Sequence, residues 1–172
     1  MEKAILLISG SPSGKSKFIE TAKKSSWCWN CNAKDFLGTK TNSFYWNGER
    51  DEEYYRFTYE FLELVNRYFR FEEKYLKNKI EDFLKDDSPN KLSKDGTVFD
   101  KFLLIAHGVS RELVSTLKDD YGVFQIHISR RDLNSNAESM NDLVLYEDDE
   151  NFEGEVNRVV NVLTDNKQKE IV

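Results

Sequence analysis

The stretch that decides the fold is Ala4-Ile-Leu-Leu-Ile-Ser-Gly-Ser-Pro-Ser-Gly-Lys-Ser-Lys-Phe-Ile19. Its first five residues are apolar and predict a strand, the small residues after them predict a tight loop, and a helix is expected over residues 15–24. A strand, a small-residue loop ending in Gly-Lys-Ser and a helix are typical, in this order, of a phosphate-binding loop. In such a loop, backbone N–H groups and the positive end of the helix dipole surround the anion.

The motif departs from the pattern G-x-x-x-x-G-K-[ST] at its first position, because Ser9 stands where the first glycine belongs and Gly10 comes one residue late. Lys15 is still expected to reach the β- and γ-phosphates of a nucleotide, and the Ser16 hydroxyl to bind Mg²⁺. An ordinary strand-to-helix turn with an exposed lysine is the alternative interpretation. The residues predicted to hold the donor phosphates are Ser9, Gly10, Ser11, Pro12, Ser13, Gly14, Lys15 and Ser16.

The composition favours a small phosphorylated ligand over a nucleic acid. The 172 residues suit one domain, and 25 Lys and Arg against 31 Asp and Glu give a net charge of −6. A chain with this balance has no long-range attraction for a nucleic-acid backbone. No apolar run approaches the ~18 residues of a membrane span, and no signal segment is recognisable, so we expect a soluble, cytoplasmic protein without a membrane partner.

Cys28 and Cys31 are the only cysteines and have the spacing C-x-x-C. A structural zinc site needs four ligands, and the only histidines, His107 and His127, lie far along the chain. A redox-active pair usually begins a helix, whereas residues 25–29 are predicted to form a strand. We therefore expect reduced, structural thiols, with redox activity as the less favoured alternative.

The rest of the chain alternates predicted strands and helices, which is typical of an open parallel α/β sheet with right-handed crossovers. Continuous apolar runs indicate strands that are buried on both faces of the sheet. The predicted segments are strands at 102–106, 123–128 and 143–146, helices at 111–118 and around residues 156–163, and a loop at 86–100.

Residues 51–71 carry apolar side chains at helical spacing and predict one long helix, followed by a bend near residues 71–73 and a second helix through Leu84. Large aromatic side chains at such spacing are usually buried, so the stripe is interpreted as core. It consists of Tyr54, Phe57, Phe61, Val65, Tyr68 and Phe69.

Two arginines, Arg130 and Arg131, directly follow the predicted strand at 123–128. Ligands of an open α/β sheet bind outside the carboxyl ends of the strands, so both guanidinium groups are expected to face the crevice that contains Lys15. Arginines on a closing segment neutralise the charge of a phosphoryl group in transfer, which makes this pair a candidate lid. A solvated charge pair at the end of a strand is the alternative.

Taken in order, these segments resemble the deoxynucleoside monophosphate kinases of phages and bacteria, in the adenylate kinase-like group of P-loop kinases. The resemblance covers most of residues 3–164. It rests on Leu-Ile-Ser-Gly-Ser-Pro-Ser-Gly-Lys-Ser, on Trp-Asn-Gly-Glu-Arg-Asp-Glu-Glu running into Arg56 and Phe57, on Ile-Ser-Arg-Arg-Asp, and on Asn-Asp-Leu-Val-Leu before the last helix. It implies a single P-loop kinase-like domain over residues 1–172, a three-layer open parallel sheet flanked by helices. Residues 39–85 are then the acceptor-binding helical segment and residues 129–141 the lid.

The activity that this resemblance implies is transfer of the ATP γ-phosphate to the 5′-phosphate of a (deoxy)nucleoside monophosphate, with Mg²⁺. Lys15, Arg130 and Arg131 are then the catalytic residues. Trp46 and Arg56 fall in the acceptor-binding region, where a stacking ring and a phosphate-binding guanidinium are needed. Asp35 is expected to bind a sugar hydroxyl or Mg²⁺.

The strand at 102–106 departs from the family pattern, because it has no carboxylate at its end and is followed by His107-Gly108-Val109. Mg²⁺ then has only Ser16, water and the phosphates as ligands, which this ion accepts. Two other functions stay open: a P-loop kinase that phosphorylates a hydroxyl of a small molecule or of a modified DNA base, with Asp35 as general base, and a non-catalytic nucleotide-binding module. The sequence also leaves a homodimer open.

Overall fold

The computed structural model describes residues 2–38, 51–86, 95–131 and 141–165. Its strands are β1 (Glu2–Gly10), β2 (Trp27–Cys31), β3 (Lys101–His107), β4 (Phe124–Ser129) and β5 (Leu143–Tyr146). Its helices are α1 (Pro12–Ala22), α2 (Glu52–Phe69), α3 (Phe71–Lys85), α4 (Arg111–Tyr121) and α5 (Phe152–Thr164). Residues 33–38 are also helical.

The strands form one five-stranded sheet in the order β2-β3-β1-β4-β5, and every neighbouring pair is parallel. The central strand β1 pairs with β3 on one side, where Leu6 faces Ile105, and with β4 on the other, where Leu6 faces Phe124. The predicted parallel α/β sheet is therefore confirmed. The order differs from the dinucleotide-binding order 3-2-1-4-5-6, in which strand 2 lies beside strand 1.

Alternating residues of β1 build two separate cores, as the two-residue period of a strand requires. Ala4, Leu6 and Ile8 pack on the side of α1 and α5. Ile5 and Leu7 pack on the side of α3 and α4. Because β1 has helices on both faces, its run of apolar residues is continuous rather than alternating.

The two crossover helices next to β1 lie on opposite faces of the sheet. The connection through α1 leads from β1 toward the β2 edge, and the connection through α4 leads from β3 across β1 to β4, in the opposite direction. Opposite directions combined with opposite faces give both crossovers the same hand, as the steric rule for parallel strands requires.

The predicted bend between the two long helices is confirmed and lies at Arg70, which has a φ of 50° in the left-handed region. Arg70 ends α2 and begins α3. The buried carboxylate of Glu72 fixes this corner, because it accepts hydrogen bonds from Ser110 N at 2.8 Å and Ser110 Oγ at 3.0 Å. The side-chain oxygen Oδ1 of Asn66 in turn accepts a hydrogen bond from Glu72 N at 2.8 Å.

The interpretation of the aromatic stripe of α2 as core is wrong for three of its six members. Tyr54 is buried, but Phe57 and Tyr68 are 41% and 69% exposed, and Phe69 is exposed as well. The spacing correctly predicts a helix, but helical spacing alone cannot tell whether a second element covers the apolar face.

None of the helices in the described part of the chain is long and apolar enough to cross a membrane.

Candidate functional site

A single residue, Ser11, connects β1 to α1, since β1 ends at Gly10 and α1 begins at Pro12. The prediction that the helix begins at Lys15 is therefore wrong. Gly10 has a φ of 105°, and a Cβ atom at this position would collide with the carbonyl oxygen of Ile128 on β4. Glycine is required here for both reasons. Pro12 suits the start of the helix, because its φ is already helical and its missing N–H has no role there.

The backbone donors that a phosphate-binding loop would direct at an anion already have acceptors in this turn. Ser11 N donates to the Ile128 carbonyl at 2.9 Å, Gly14 N to Ser11 Oγ at 3.3 Å, and Lys15 N to the Ser11 carbonyl at 2.9 Å. The cause is visible in the sequence: only three residues separate Gly10 from Gly14, whereas the motif has four between its glycines. The chain therefore enters the helix directly.

A carboxylate lies at the N-terminus of α1. Glu147, which follows β5, accepts hydrogen bonds from Ser11 Oγ at 2.8 Å and from Ser13 Oγ at 2.7 Å. The hydrogen bonds from Ser13 and Ser11, with a smaller contribution from Arg130, lower the pKa of Glu147. An internal anion thus occupies the helix end where the sequence predicts a phosphate. Nothing in the motif signals this contact, because its two sides are more than 130 residues apart in the chain.

Polar residues that follow β2 meet the end of β3 at the carboxyl edge of the sheet. The Asn32 amide donates to His107 Nδ1 at 3.1 Å, and Asn32 Oδ1 accepts from Asp35 N at 3.0 Å. Because a backbone N–H can only donate, it fixes the orientation of the Asn32 amide. Nδ1 of His107 is then an acceptor, and the proton of the neutral ring lies on Nε2.

The charges of Lys15 and Asp35 both affect the pKa of His107. Burial lowers the pKa of His107, the Lys15 cation lowers it further, and Asp35 acts in the opposite direction. Two of the predicted site residues, Lys15 and Asp35, are thus close enough to His107 to affect its pKa. Ser9 is held by a different residue, His127 of β4, whose Nδ1 lies 3.0 Å from Ser9 Oγ.

Beside this edge lies an open groove of about 950 Å³ between α2, the start of α3 and the turn after β3. Sequence reasoning missed it, because it forms only when the corner at Arg70 meets the turn that leads into α4. Its wall combines cations with the ring of Tyr59 and with acids. The charged residues of the wall are Lys34, Glu63, Arg67, Arg70, Glu72, Glu73, Arg111 and Glu112.

Arg56, one of the predicted acceptor residues, is not brought to this groove. Arg56 is an exposed residue of α2 whose Nε donates to Glu60 Oε1 at 3.0 Å, one helical turn away. It is not among the residues of the groove wall. Trp46 lies outside the described residues, as does the rest of segment 39–50.

The predicted lid is described only at its first residues and at residue 141, since residues 132–140 lie outside the described part. Arg130 is close enough to Glu147 to lower its pKa. Arg131 donates to Asp149 Oδ2 at 2.7 Å, and its guanidinium lies over the Tyr146 ring, 5.3 Å from the centroid. Both arginines thus lie at the end of the sheet where Glu147 meets α1.

The cysteines are free thiols with little nucleophilic character. Cys31 is buried and Cys28 is half-buried. Burial raises the pKa of both thiols, that of Cys31 to about 12, so the reactive thiolate is scarce near neutral pH. Among the residues that the structure describes, no group of three His, Cys, Asp or Glu side chains is placed to hold a metal ion.

Comparisons with known proteins do not assign a family. A scan against protein-family models finds no match to this chain, and a search of curated proteins finds no similar sequence.

Proposed function

We propose that the protein is a nucleotide phosphotransferase that moves the γ-phosphate of ATP to a (deoxy)nucleoside monophosphate. The observation that carries this proposal is the position of Lys15 and of the groove that contains Lys34 and Arg111 at one edge of the sheet. Lys15 follows β1, Arg111 follows β3, and these two strands are hydrogen-bonded neighbours. Ligands of parallel α/β sheets bind at this edge.

The donor nucleotide binds at the β1–α1 turn. Its phosphates displace the Glu147 carboxylate, take over the hydroxyl donors of Ser11 and Ser13, and meet the Lys15 ammonium. A polyphosphate carries more charge than one carboxylate and is favoured more strongly by the helix dipole. The glycine spacing of the turn predicts weaker donor binding than a full phosphate-binding loop gives.

Mg²⁺ is compatible with this donor set. The ion keeps several water ligands and usually takes one or two protein oxygens together with the substrate phosphates. The Ser16 hydroxyl, exposed in the second turn of α1, and the Asp35 carboxylate supply such oxygens. When bound, the ion neutralises charge on the phosphates.

The acceptor monophosphate binds in the groove. Lys34 and Arg111 are the cations of its wall nearest to the strand ends in sequence, and Tyr59 offers a ring for stacking a base. The neutral His107 ring, with its Nε2 proton, is a hydrogen-bond donor beside Lys15. Arg130 and Arg131 keep their predicted role, in which they neutralise charge on the transferred group.

A non-catalytic nucleotide-binding module is the second candidate, and a specific observation favours it. An internal carboxylate at the N-terminus of α1, with no carboxylate at the end of β3, is the arrangement expected of a fold that has lost its chemistry. The first proposal predicts turnover, whereas this one predicts binding alone.

The decisive experiment measures ADP formation from Mg-ATP with a panel of nucleoside and deoxynucleoside monophosphates. Lys15→Ala is the test variant and Lys23→Ala, at the other end of the same helix, is the matched control. We expect turnover with at least one acceptor, which Lys15→Ala abolishes and Lys23→Ala retains. ATP binding without turnover on any acceptor supports the binding module. Equal turnover in both variants excludes Lys15 from the donor site.

A further inference from the structure

The carboxylate of Glu72, at the start of α3, is buried and joins three segments around the groove. Only 5% of Glu72 is exposed. Its oxygens accept hydrogen bonds from Ser110 N at 2.8 Å, from Ser110 Oγ at 3.0 Å and from Asn66 Nδ2 at 3.4 Å. Its own N–H donates to Asn66 Oδ1 at 2.8 Å. One residue thus connects the end of α2, the start of α3 and the turn that leads into α4.

The donors that Glu72 uses are neutral, although cations line the same groove. Arg70 is one of these cations, and it pairs with the neighbouring Glu73. Burial of a carboxylate costs free energy that apolar side chains of similar volume would not cost. The carboxylate at this corner therefore indicates a requirement on the position of the turn at Ser110 rather than on stability alone.

The residue that this turn places is Arg111, which follows Ser110 and begins α4. Arg111 lines the groove. The positive end of the helix dipole disfavours a cation at this position, and no acid in the described part of the chain pairs with it. Because neither the helix nor a neighbouring carboxylate favours the Arg111 cation, its position suits a bound anion.

Arg67 of α2 lines the same groove and also has no acidic partner among the residues that the structure describes. Glu63 stands four residues before it, a spacing at which glutamate and arginine favourably pair on a helix. On the same helix, Arg56 and Glu60 do form such a pair. The groove therefore has a second guanidinium group that is available to an anion.

We propose that Glu72 is a positioning residue of the acceptor site, which holds Arg111 at the groove so that its guanidinium binds the acceptor phosphate, with Arg67 as a second cation. This inference rests on the proposed function, which places the acceptor monophosphate in the groove. Glu72 itself does not touch the acceptor, because its oxygens are taken by Ser110 and Asn66. A guanidinium on a fixed turn loses less conformational freedom on binding and so binds more tightly.

The test compares the dissociation constants of a nucleoside monophosphate and of its nucleoside, measured on the full chain without ATP by isothermal titration calorimetry. The probes are adenosine monophosphate with adenosine, and thymidine monophosphate with thymidine. Wild type should bind at least one monophosphate more tightly than its nucleoside. Glu72→Ala should weaken binding of that monophosphate about tenfold and leave binding of the nucleoside unchanged. Glu72→Gln keeps an oxygen for Ser110 N and should stay within about threefold of wild type.

A double-mutant cycle tests whether Glu72 acts through Arg111. In the Arg111→Ala background, Glu72→Ala should have no further effect on monophosphate binding, because the group that it positions is gone. Ile80→Val, at a buried residue of the same helix, controls for stability. It should lower the melting temperature without changing either dissociation constant.

Circular dichroism checks that each variant is folded. If Glu72→Ala does not fold, Ser110→Ala takes its place, because it removes one of the two hydrogen bonds between Ser110 and Glu72. Ser110→Ala should weaken binding of the monophosphate about twofold and leave binding of the nucleoside unchanged.

Four results would overturn the positioning role. They are a folded Glu72→Ala that binds the monophosphate as wild type does, an equal loss for the nucleoside, losses that multiply in the double variant, and a wild type without preference for a monophosphate. ADP formation reports separately on the proposed function. Turnover together with unchanged acceptor binding in Glu72→Ala overturns the positioning role alone. Monophosphate binding that depends on Glu72 and Arg111 but gives no turnover supports the positioning role and contradicts the phosphotransferase.

Discussion

The carboxylate of Glu147 accepts a hydrogen bond from the Ser13 hydroxyl at 2.7 Å, so a residue that follows the last strand closes the N-terminus of the first helix. Ser11 makes the matching contact to the other carboxylate oxygen at 2.8 Å. The helix end that ordinarily attracts a ligand anion thus has an anion from the chain itself. Any phosphate that binds here must compete with that carboxylate.

We predict that Glu147→Gln increases the affinity for ATP about five- to tenfold. The amide keeps an oxygen for the serine hydroxyls but removes a negative charge that would repel the phosphates by about 1 kcal/mol per charge at contact distance in water. Glu150→Gln, an exposed acid on the same segment, is the matched control and should leave the affinity unchanged. Isothermal titration calorimetry measures both. Equal affinities in wild type and Glu147→Gln would show that the carboxylate does not compete with the ligand.

The same contact predicts a pH dependence of stability. The pKa of Glu147 is lowered by Ser13 and Ser11, so the carboxylate is favoured in the folded state. Its contribution to stability is complete above the ordinary glutamate pKa of about 4.3, and it is lost as the pH falls through the lower, folded-state value. The difference in unfolding free energy between wild type and Glu147→Gln should therefore be constant near neutral pH and shrink below about pH 4. Urea titrations at several pH values measure it. A difference that grows on acidification would contradict the assignment.

The sheet was predictable because its signals are local. A continuous apolar run such as residues 102–106 can be satisfied only by burial on both faces, and alternation of strands with helices then gives a parallel sheet. The corner at Arg70 was also predicted to within a few residues, since the bend was expected near residues 71–73. These features depend on nearest neighbours in the chain.

The site was less predictable because its contacts are distant in sequence. Glu147 meets Ser13, and Asn32 meets His107, only after the strands have taken their places in the sheet. The start of α1 was mispredicted for another reason: the Gly-Lys-Ser match outweighed the Gly10–Gly14 spacing, which already implied a shorter loop. The exposed aromatic residues of α2, Phe57, Tyr68 and Phe69, follow the same period as the residues of a core helix, so the sequence carries no sign of their exposure.

Gly10→Ala should be strongly destabilising. A positive φ costs a non-glycine residue about 1–2 kcal/mol, and at Gly10 the new methyl group would also collide with the Ile128 backbone. Gly122→Ala is the control, since Gly122 has a φ of 63° but nothing lies within 4 Å of an added Cβ. We expect Gly122→Ala to lose about 1–2 kcal/mol in urea unfolding and Gly10→Ala to lose clearly more. Similar losses would mean that β4 moves freely away from the β1–α1 turn.

The last prediction separates the two candidate acceptor surfaces. If the monophosphate binds in the groove, Arg111→Ala removes a charge-assisted hydrogen bond worth about 1.5–3 kcal/mol, which corresponds to a rise in the acceptor KM of about 10- to 100-fold. Arg56→Ala removes only the exposed pair with Glu60. Such a pair contributes about 0.3–0.5 kcal/mol to helix stability and nothing to acceptor binding, so the acceptor KM should stay within about twofold of wild type.

Titration with a nucleoside monophosphate and with its nucleoside completes this test. Arg111 should contribute to binding of the phosphate group and not to binding of the nucleoside. Wild type should prefer the monophosphate, and Arg111→Ala should lose that preference while it still binds the nucleoside. In the opposite result, Arg56→Ala loses the preference and Arg111→Ala keeps it. The acceptor would then bind at the site that the sequence predicts, around Trp46 and Arg56. Because both arginines are exposed and lie on helix surfaces, neither substitution should disturb the fold, and the comparison then reports binding alone.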